Sequence, residues 1–121
     1  MVKALFDTNI VIDYLRGIPA ARAELERYDG KAVSIISWME VLAGAPPAVE
    51  AGTRDFLDGF SVIELGRAVA ERAVALRRQH RVKLPDAIVW ASAQVHAMLL
   101  VTRDTRHFPK DDPGVRMPYT V

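Results

Sequence analysis

The stretch VKALFDTNIVIDYL, residues 2–15, joins two kinds of pattern at one aspartate. Residues 2–6 (VKALF) read as a short buried strand, which Asp7 stops. From Thr8 to about Arg16 the apolar residues Ile10, Val11, Tyr14 and Leu15 recur at helical spacing. Strand, acid and helix then recur along the chain. Gly17 and Pro19 punctuate it, and Pro19 suits the first turn of a helix that runs to about Tyr28 and ends at Asp29-Gly30. Residues 32–35 (AVSI) read as a second strand. Ser37 starts a helix through Leu42, closed by Gly44. Pro46-Pro47 opens a helix to about Leu57, with Gly59 as its stop, and 60–63 (FSVI) form a third strand. A helix over 67–80 carries Ala68, Val69, Ala73 and Leu76 on one face. The helix from Leu84 to about His96 is apolar nearly all round, which predicts burial. Residues 98–101 (MLLV) make a fourth strand. Residues 115–119 make a fifth at an edge, where Pro118 is tolerated.

This alternation predicts an α/β domain with a mainly parallel sheet of four to five strands and helices on both faces. No repeat, linker or low-complexity segment interrupts it, so residues 1–121 are expected to form a single domain. A chain of this length buries roughly two-thirds of its extended surface, enough for a core without staples. Half of its residues are apolar, in keeping with that core. It has no cysteine, which excludes disulfides, thiolate zinc sites and cysteine nucleophiles. Asp7 and Asp13 interrupt the N-terminal apolar run, and no run of about 18 apolar residues occurs elsewhere. The expectation is a cytoplasmic protein with no membrane segment.

The formal net charge is only +1, unlike that of a strongly basic nucleic-acid binder. The charge is uneven, however. Arg77, Arg78, Arg81 and Lys83 form one basic group, and Arg103, Arg106 and Lys110 another. Each reads either as a solvated face or as a phosphate-attracting rim, with Arg81, Arg103 and Arg106 as candidate substrate-binding residues.

Four acids carry the candidate chemistry. In an open parallel sheet, sites form beyond the carboxyl ends of the strands. Asp7 directly follows the first strand, and Asp104 lies three residues beyond the fourth. Glu40 follows the second strand by a short helical turn, and Asp86 opens the helix that leads into the fourth. Two carboxylates about 4 Å apart repel by about 4 kcal/mol at an effective dielectric near 20, so convergence calls for a cation. Mg²⁺ and Mn²⁺ favour carboxylate oxygen and water. With only three histidines, and no near ligand partner for His80 or His96, zinc is not expected. Asp7, Asp86 and Asp104 are the expected metal ligands, with Glu40 completing the catalytic set through a water or a second ion. Thr8, Asn9 and Thr102 are placed to orient a carboxylate or a water.

Each acid also has a local structural reading. Asp7 and Asp86 could cap helices, Ser37-x-x-Glu40 matches a capping box, and Asp104 could serve a turn. Trp90 reads as core, whereas Trp38 reads equally as core, base platform or dimer contact.

The motifs FDTNIVIDYL (6–15), SIISWMEVLAG (34–44), KLPDAIVWASA (83–93) and LLVTRDTRHF (99–108), in this order and in so short a chain, resemble a PIN-domain nuclease of the VapC toxin type. The resemblance covers the whole chain. It implies a PIN-like, Rossmann-like three-layer sandwich and a Mg²⁺- or Mn²⁺-dependent endoribonuclease leaving a 5′-phosphate and a 3′-hydroxyl. It also implies a homodimer and a partner antitoxin that blocks the site. One departure stands out. Many relatives have an acid just before the closing phenylalanine, where this chain has His107; Asp104 offers the acid instead.

Three other functional classes fit parts of the pattern. A receiver-type signalling domain has a similar sheet and binds Mg²⁺, but it needs paired acids after the first strand, where Asp7 stands alone. A D-x-D phosphatase would need an acid at position 9, which is Asn9. A module that binds RNA without cutting it is the third alternative.

Overall fold

The structure is a computed structural model that describes residues 3–120. Val2, the first residue of the expected opening strand, lies outside the described residues. Five strands form one sheet: β1 (Ala4–Phe6), β2 (Lys31–Ser34), β3 (Ser61–Ile63), β4 (Leu99–Val101) and β5 (Val115–Arg116). Their order is β3-β2-β1-β4-β5, and every neighbouring pair is parallel. Helices α1 (Thr8–Leu15) and α2 (Pro19–Glu26) lie between β1 and β2, and α3 (Ile35–Ala43) and α4 (Glu50–Leu57) between β2 and β3. A 3₁₀ turn, Pro47–Val49, leads into α4. Helices α5 (Arg67–His80) and α6 (Leu84–Val95) precede β4.

Side chains that alternate along each strand divide the core into two layers. Leu5, Ala32 and Leu100 pack with Val69, Leu76 and Trp90 of α5 and α6. Ala4, Phe6, Val33 and Val101 pack on the opposite face with Ile10, Val11, Leu25, Val41 and Leu57 of α1–α4. The three-layer sandwich follows from this period of two. Leu25 and Leu57 are core here, and Phe56 stacks on Tyr14 with ring centroids 4.7 Å apart.

Two local expectations are corrected. Helix α3 starts at Ile35, because the Ser34 hydroxyl accepts from the Ile36 amide at 3.1 Å and caps it. Ser37 therefore lies inside the helix, and no Ser37–Glu40 capping box forms. The last strand is Val115–Arg116 only, because Met117–Tyr119 leave the sheet. Pro118 lacks the N–H a ladder would use, and the Tyr119 hydroxyl instead donates to Asp13 at 2.8 Å. Among the described residues, no helix is long and apolar enough to cross a membrane.

Successive strands run outward from β1 to β2 to β3, and the chain then crosses to the other side of β1 for β4 and β5. The crevice at this reversal, beyond the carboxyl ends of β1 and β4, is where parallel sheets of this kind bind ligands.

Candidate active site

Strand register places the first part of the site. Phe6 pairs with Val101, so the residues one step beyond, Asp7 and Thr102, emerge side by side. The buried Thr102 hydroxyl donates to Asp7 Oδ2 at 2.8 Å, and Asn9 Nδ2 approaches the same oxygen at 3.4 Å. Asp7 Oδ1 accepts from the Thr8 amide at 2.8 Å, which makes Asp7 the N-cap of α1. The capping role and the site role thus coexist in one carboxylate.

Glu40 reaches the same end of the sheet from α3. The Thr8 hydroxyl donates to Glu40 Oε1 at 2.8 Å and lies 2.8 Å from the buried Ser37 hydroxyl. With a single proton to give, Thr8 accepts from Ser37 when it donates to Glu40.

Asp86 lies in the first turn of α6, just after Pro85. Asp104 joins it through aromatic packing. Trp90, one helical turn after Asp86, meets Phe108 edge to face at 5.8 Å, and both rings are buried. Phe108 thereby ties the 104–107 turn to the helix that carries Asp86. Asp104 shapes that turn itself: Oδ1 accepts from the Arg106 and His107 amides at 2.9 and 3.1 Å. Its other oxygen, Oδ2, lies 2.6 Å from His107 Nδ1. Asp86, Asp104 and His107 each offer a ligand atom within 4.8 Å of the others.

Electrostatics separate these acids from the rest of the protein. Burial pushes the Asp7 carboxyl from 3.8 up to about 6; the Thr102 and Thr8 hydrogen bonds oppose this, and Asp86 and Asp104 add to it. Burial also raises Asp86, helped by Asp104 and Glu40 and opposed by His107 and Lys83. Asp104 is also partly desolvated, but its His107 and backbone hydrogen bonds prevail and hold it below the usual range. Among the described residues, Asp7, Glu40 and Asp86 have no salt-bridge partner. The arrangement concentrates carboxylates that His107 and Lys83 offset only in part, which suits a divalent-cation site.

The basic candidates are placed differently. The Arg103 guanidinium grips Asp13 with two bonds, of 2.6 and 3.1 Å, and the residue also lines the cleft beside Asp104. Arg106 is exposed and, with Asn9, Asp104 and Thr105, lines a cleft of about 290 Å³. Arg81 ends α5 in the left-handed conformation, with φ of 57°, and is exposed. Trp38 is half-buried on α3, with the Arg54 guanidinium 5.6 Å from its ring centre.

Sequence reasoning overlooked Ser37 as a partner of Thr8 and His107 as a donor within the cluster. It also overlooked two buried carboxylates, Asp13 and Glu24. Asp13 lies three residues after Ile10 and Glu24 three after Ala21, each on the buried face of its helix. A charge at such a position signals a partner elsewhere in the chain.

Comparison with known proteins agrees with this geometry. The PIN domain family matches residues 4–111. The chain is 33% identical over 113 residues to Ribonuclease VapC10 of Mycobacterium tuberculosis, covering 87% of this chain and 85% of that protein. It superposes with a TM-score of 0.93, at 45% identity, on a toxin-antitoxin complex from Klebsiella pneumoniae, covering 98% of this chain and 100% of that one. VapBC2 from Rickettsia felis, bound to a DNA fragment from its promoter, shares the fold at a TM-score of 0.77 and 19% identity, over 95% and 96% of the two chains. A match over nearly its whole length, on a parallel sheet whose central strands lead to one acidic crevice, establishes that the chain belongs to the PIN domain family.

Proposed function

We propose that this protein is a metal-dependent endoribonuclease that hydrolyses phosphodiester bonds, and the cytoplasmic toxin of a toxin–antitoxin pair. The observation that carries the reading is that Asp86 and Asp104 offer ligand atoms within 4.8 Å of each other while their charges reach Asp7, and that among the described residues no arginine or lysine forms a salt bridge to Asp7 or Asp86. The 33% identity to a ribonuclease of the VapC type supports the activity, and the 45% identity to a chain of a toxin-antitoxin complex supports the pairing.

Asp7, Asp86 and Asp104 would hold Mg²⁺ or Mn²⁺. Such an ion supplies charge neutralisation at the scissile phosphate and a bound water of lowered pKa. The chain's own groups prepare the rest. The Thr8 amide and Thr102 hydroxyl fix the Asp7 carboxylate in one orientation. Thr8 spends its proton on Glu40 Oε1, which leaves Oε2 to take a proton from the attacking water. Arg106, exposed on the rim of the 290 Å³ cleft, attracts the RNA backbone, and Arg81 extends the basic rim. Arg103 contributes through its grip on Asp13.

A second depression, of about 320 Å³, is lined by Ile12, Leu15, Val41 and Val49 and reaches Glu40. An antitoxin segment seated in this groove would lie against Glu40, at the margin of the site. The reading also includes a homodimer of this chain.

The test is cleavage of RNA by the purified chain. Excess chelator should abolish cleavage, Mg²⁺ or Mn²⁺ should restore it, and Asp86→Asn should remain folded and inactive. Undiminished cleavage in chelator would refute the metal-dependent reading.

A further inference from the structure

The acids are not the whole donor set. His107 Nδ1 lies 2.6 Å from Asp104 Oδ2, and the ligand atoms of Asp86, Asp104 and His107 all fall within 4.8 Å of one another. Opposite ligands of an octahedral ion, at about 2.1 Å each, stand about 4.2 Å apart, so a set of this span suits a single ion. The available oxygens are few. The Arg106 and His107 amides already occupy Asp104 Oδ1, which leaves Oδ2, the oxygen that faces the imidazole.

The ring is also held rather than free. It belongs to the turn that Asp104 stitches together, and the next residue, Phe108, is anchored on Trp90 of the helix that carries Asp86. At 38% exposure for His107 and 22% for Asp104, the pair is open enough for an ion to enter.

Resting on the reading of this crevice as a metal centre, we propose that His107 is a nitrogen ligand of the ion and biases the site toward Mn²⁺ over Mg²⁺. Mg²⁺ keeps to oxygen donors and water, whereas Mn²⁺ and the later divalent metals accept imidazole more readily. The ring ligates through whichever nitrogen carries no proton. An all-carboxylate cluster has no such preference built in. This chain, with Asp104 and His107 sharing one turn, does.

The experiment adds Mn²⁺ to the metal-free full-length chain and reads ¹⁴N hyperfine coupling by pulsed electron paramagnetic resonance. Coupling is expected in the wild type and should vanish in H107Q and H107D, with thermal melts confirming that both are folded. In H107D, which exchanges nitrogen for oxygen, the ratio of Mn²⁺ to Mg²⁺ dissociation constants should move toward Mg²⁺ by on the order of tenfold. Bound Mn²⁺ without nitrogen coupling in the wild type overturns the proposal, as does coupling that persists in H107Q. Either result leaves the metal centre itself standing. Failure of the wild type to bind Mn²⁺ at all overturns both.

Discussion

Asp7 and Asp13 belong to the same short helical segment, and both are buried, yet they titrate in opposite directions. Asp13 is desolvated but receives the Arg103 fork and the Tyr119 hydroxyl, and its carboxyl falls below the usual range. Asp7 receives only neutral donors, faces Asp86 and Asp104, and rises to about 6. Glu24 repeats the first pattern: Arg116 grips it at 2.7 and 3.0 Å, Tyr28 donates at 3.0 Å, and its carboxyl also falls. A carboxylate that holds the fold together thus has its counter-charge within the chain, in each case an arginine, with a tyrosine hydroxyl donating beside it. Among the described residues, Asp7 and Asp86 at the crevice have no such partner, and Asp104 has only the His107 imidazole. The two regions meet at one peptide bond, since Arg103 of the clamp precedes Asp104 of the site.

Replacing Asp7 should break the site and relieve the fold. Asp7→Asn keeps the shape and removes an anionic ligand, so RNA cleavage should fall by at least about a thousandfold. Stability should move the other way in metal-free protein. A folded pKa of about 6 against an ordinary 3.8 means that the folded state holds the proton more tightly. The associated stability is present below about pH 4 and is lost as pH rises through about 6, by about 3 kcal/mol in all. Thermal melts in chelator should therefore show Asp7→Asn matching the wild type near pH 4 and exceeding it at pH 7.5. A variant less stable than the wild type at pH 7.5 would mean that Asp7 is structural, like Asp13.

The converse change breaks the clamp. Asp13→Asn leaves the Arg103 guanidinium, only a third exposed, facing a neutral group. The expected loss is about 3 kcal/mol, or roughly 10 °C in melting temperature. Cleavage should fall by only on the order of tenfold, through loosening of the turn that begins at Arg103. The pH dependence has the opposite sign to that of Asp7. A depressed carboxyl contributes stability above its unfolded pKa, near 3.8, and loses it as pH falls through the lower folded value. The gap between Asp13→Asn and wild type should therefore be full at neutral pH and close in acid. A gap that stays constant from pH 7 to pH 3 would show that the charge of Asp13 is not what stabilises the fold.

The placement of Asp7, Asp86 and Asp104 at one end of the sheet was legible in the sequence, because a parallel sheet turns chain order into position. A residue one step beyond a strand must emerge at the carboxyl edge, and Asp7 and Thr102 do so by register. The clamp was not legible, because its pairs span 90 and 92 residues and leave no local pattern. Arg103 was read as a free cation for that reason. The start of α3 was misread because Ser34 and Ser37 are both good caps, and only the end of β2 at Ser34 decides between them. Only the two-residue strand Val115–Arg116 forms where 115–119 was expected, because Tyr119 is drawn off to a carboxylate more than a hundred residues earlier.

Tyr119→Phe makes the gentlest cut between the two regions. It removes one O–H donor, at 2.8 Å from Asp13 Oδ2, and leaves the ring to pack against the α1–α4 layer. Arg103 still compensates the carboxylate, so the cost should be about 1 kcal/mol, a few degrees in melting temperature. The informative readout is Mn²⁺ affinity together with kcat. If the clamp acts only on stability, both should match the wild type, because Arg103 keeps its place and Thr102 and Asp104 keep theirs. If either falls by about tenfold while the melting temperature barely moves, then Tyr119 and Asp13 position the Asp104 turn through Arg103. The boundary between structural and functional carboxylates would then lie beyond Arg103, and the clamp would count as part of the site.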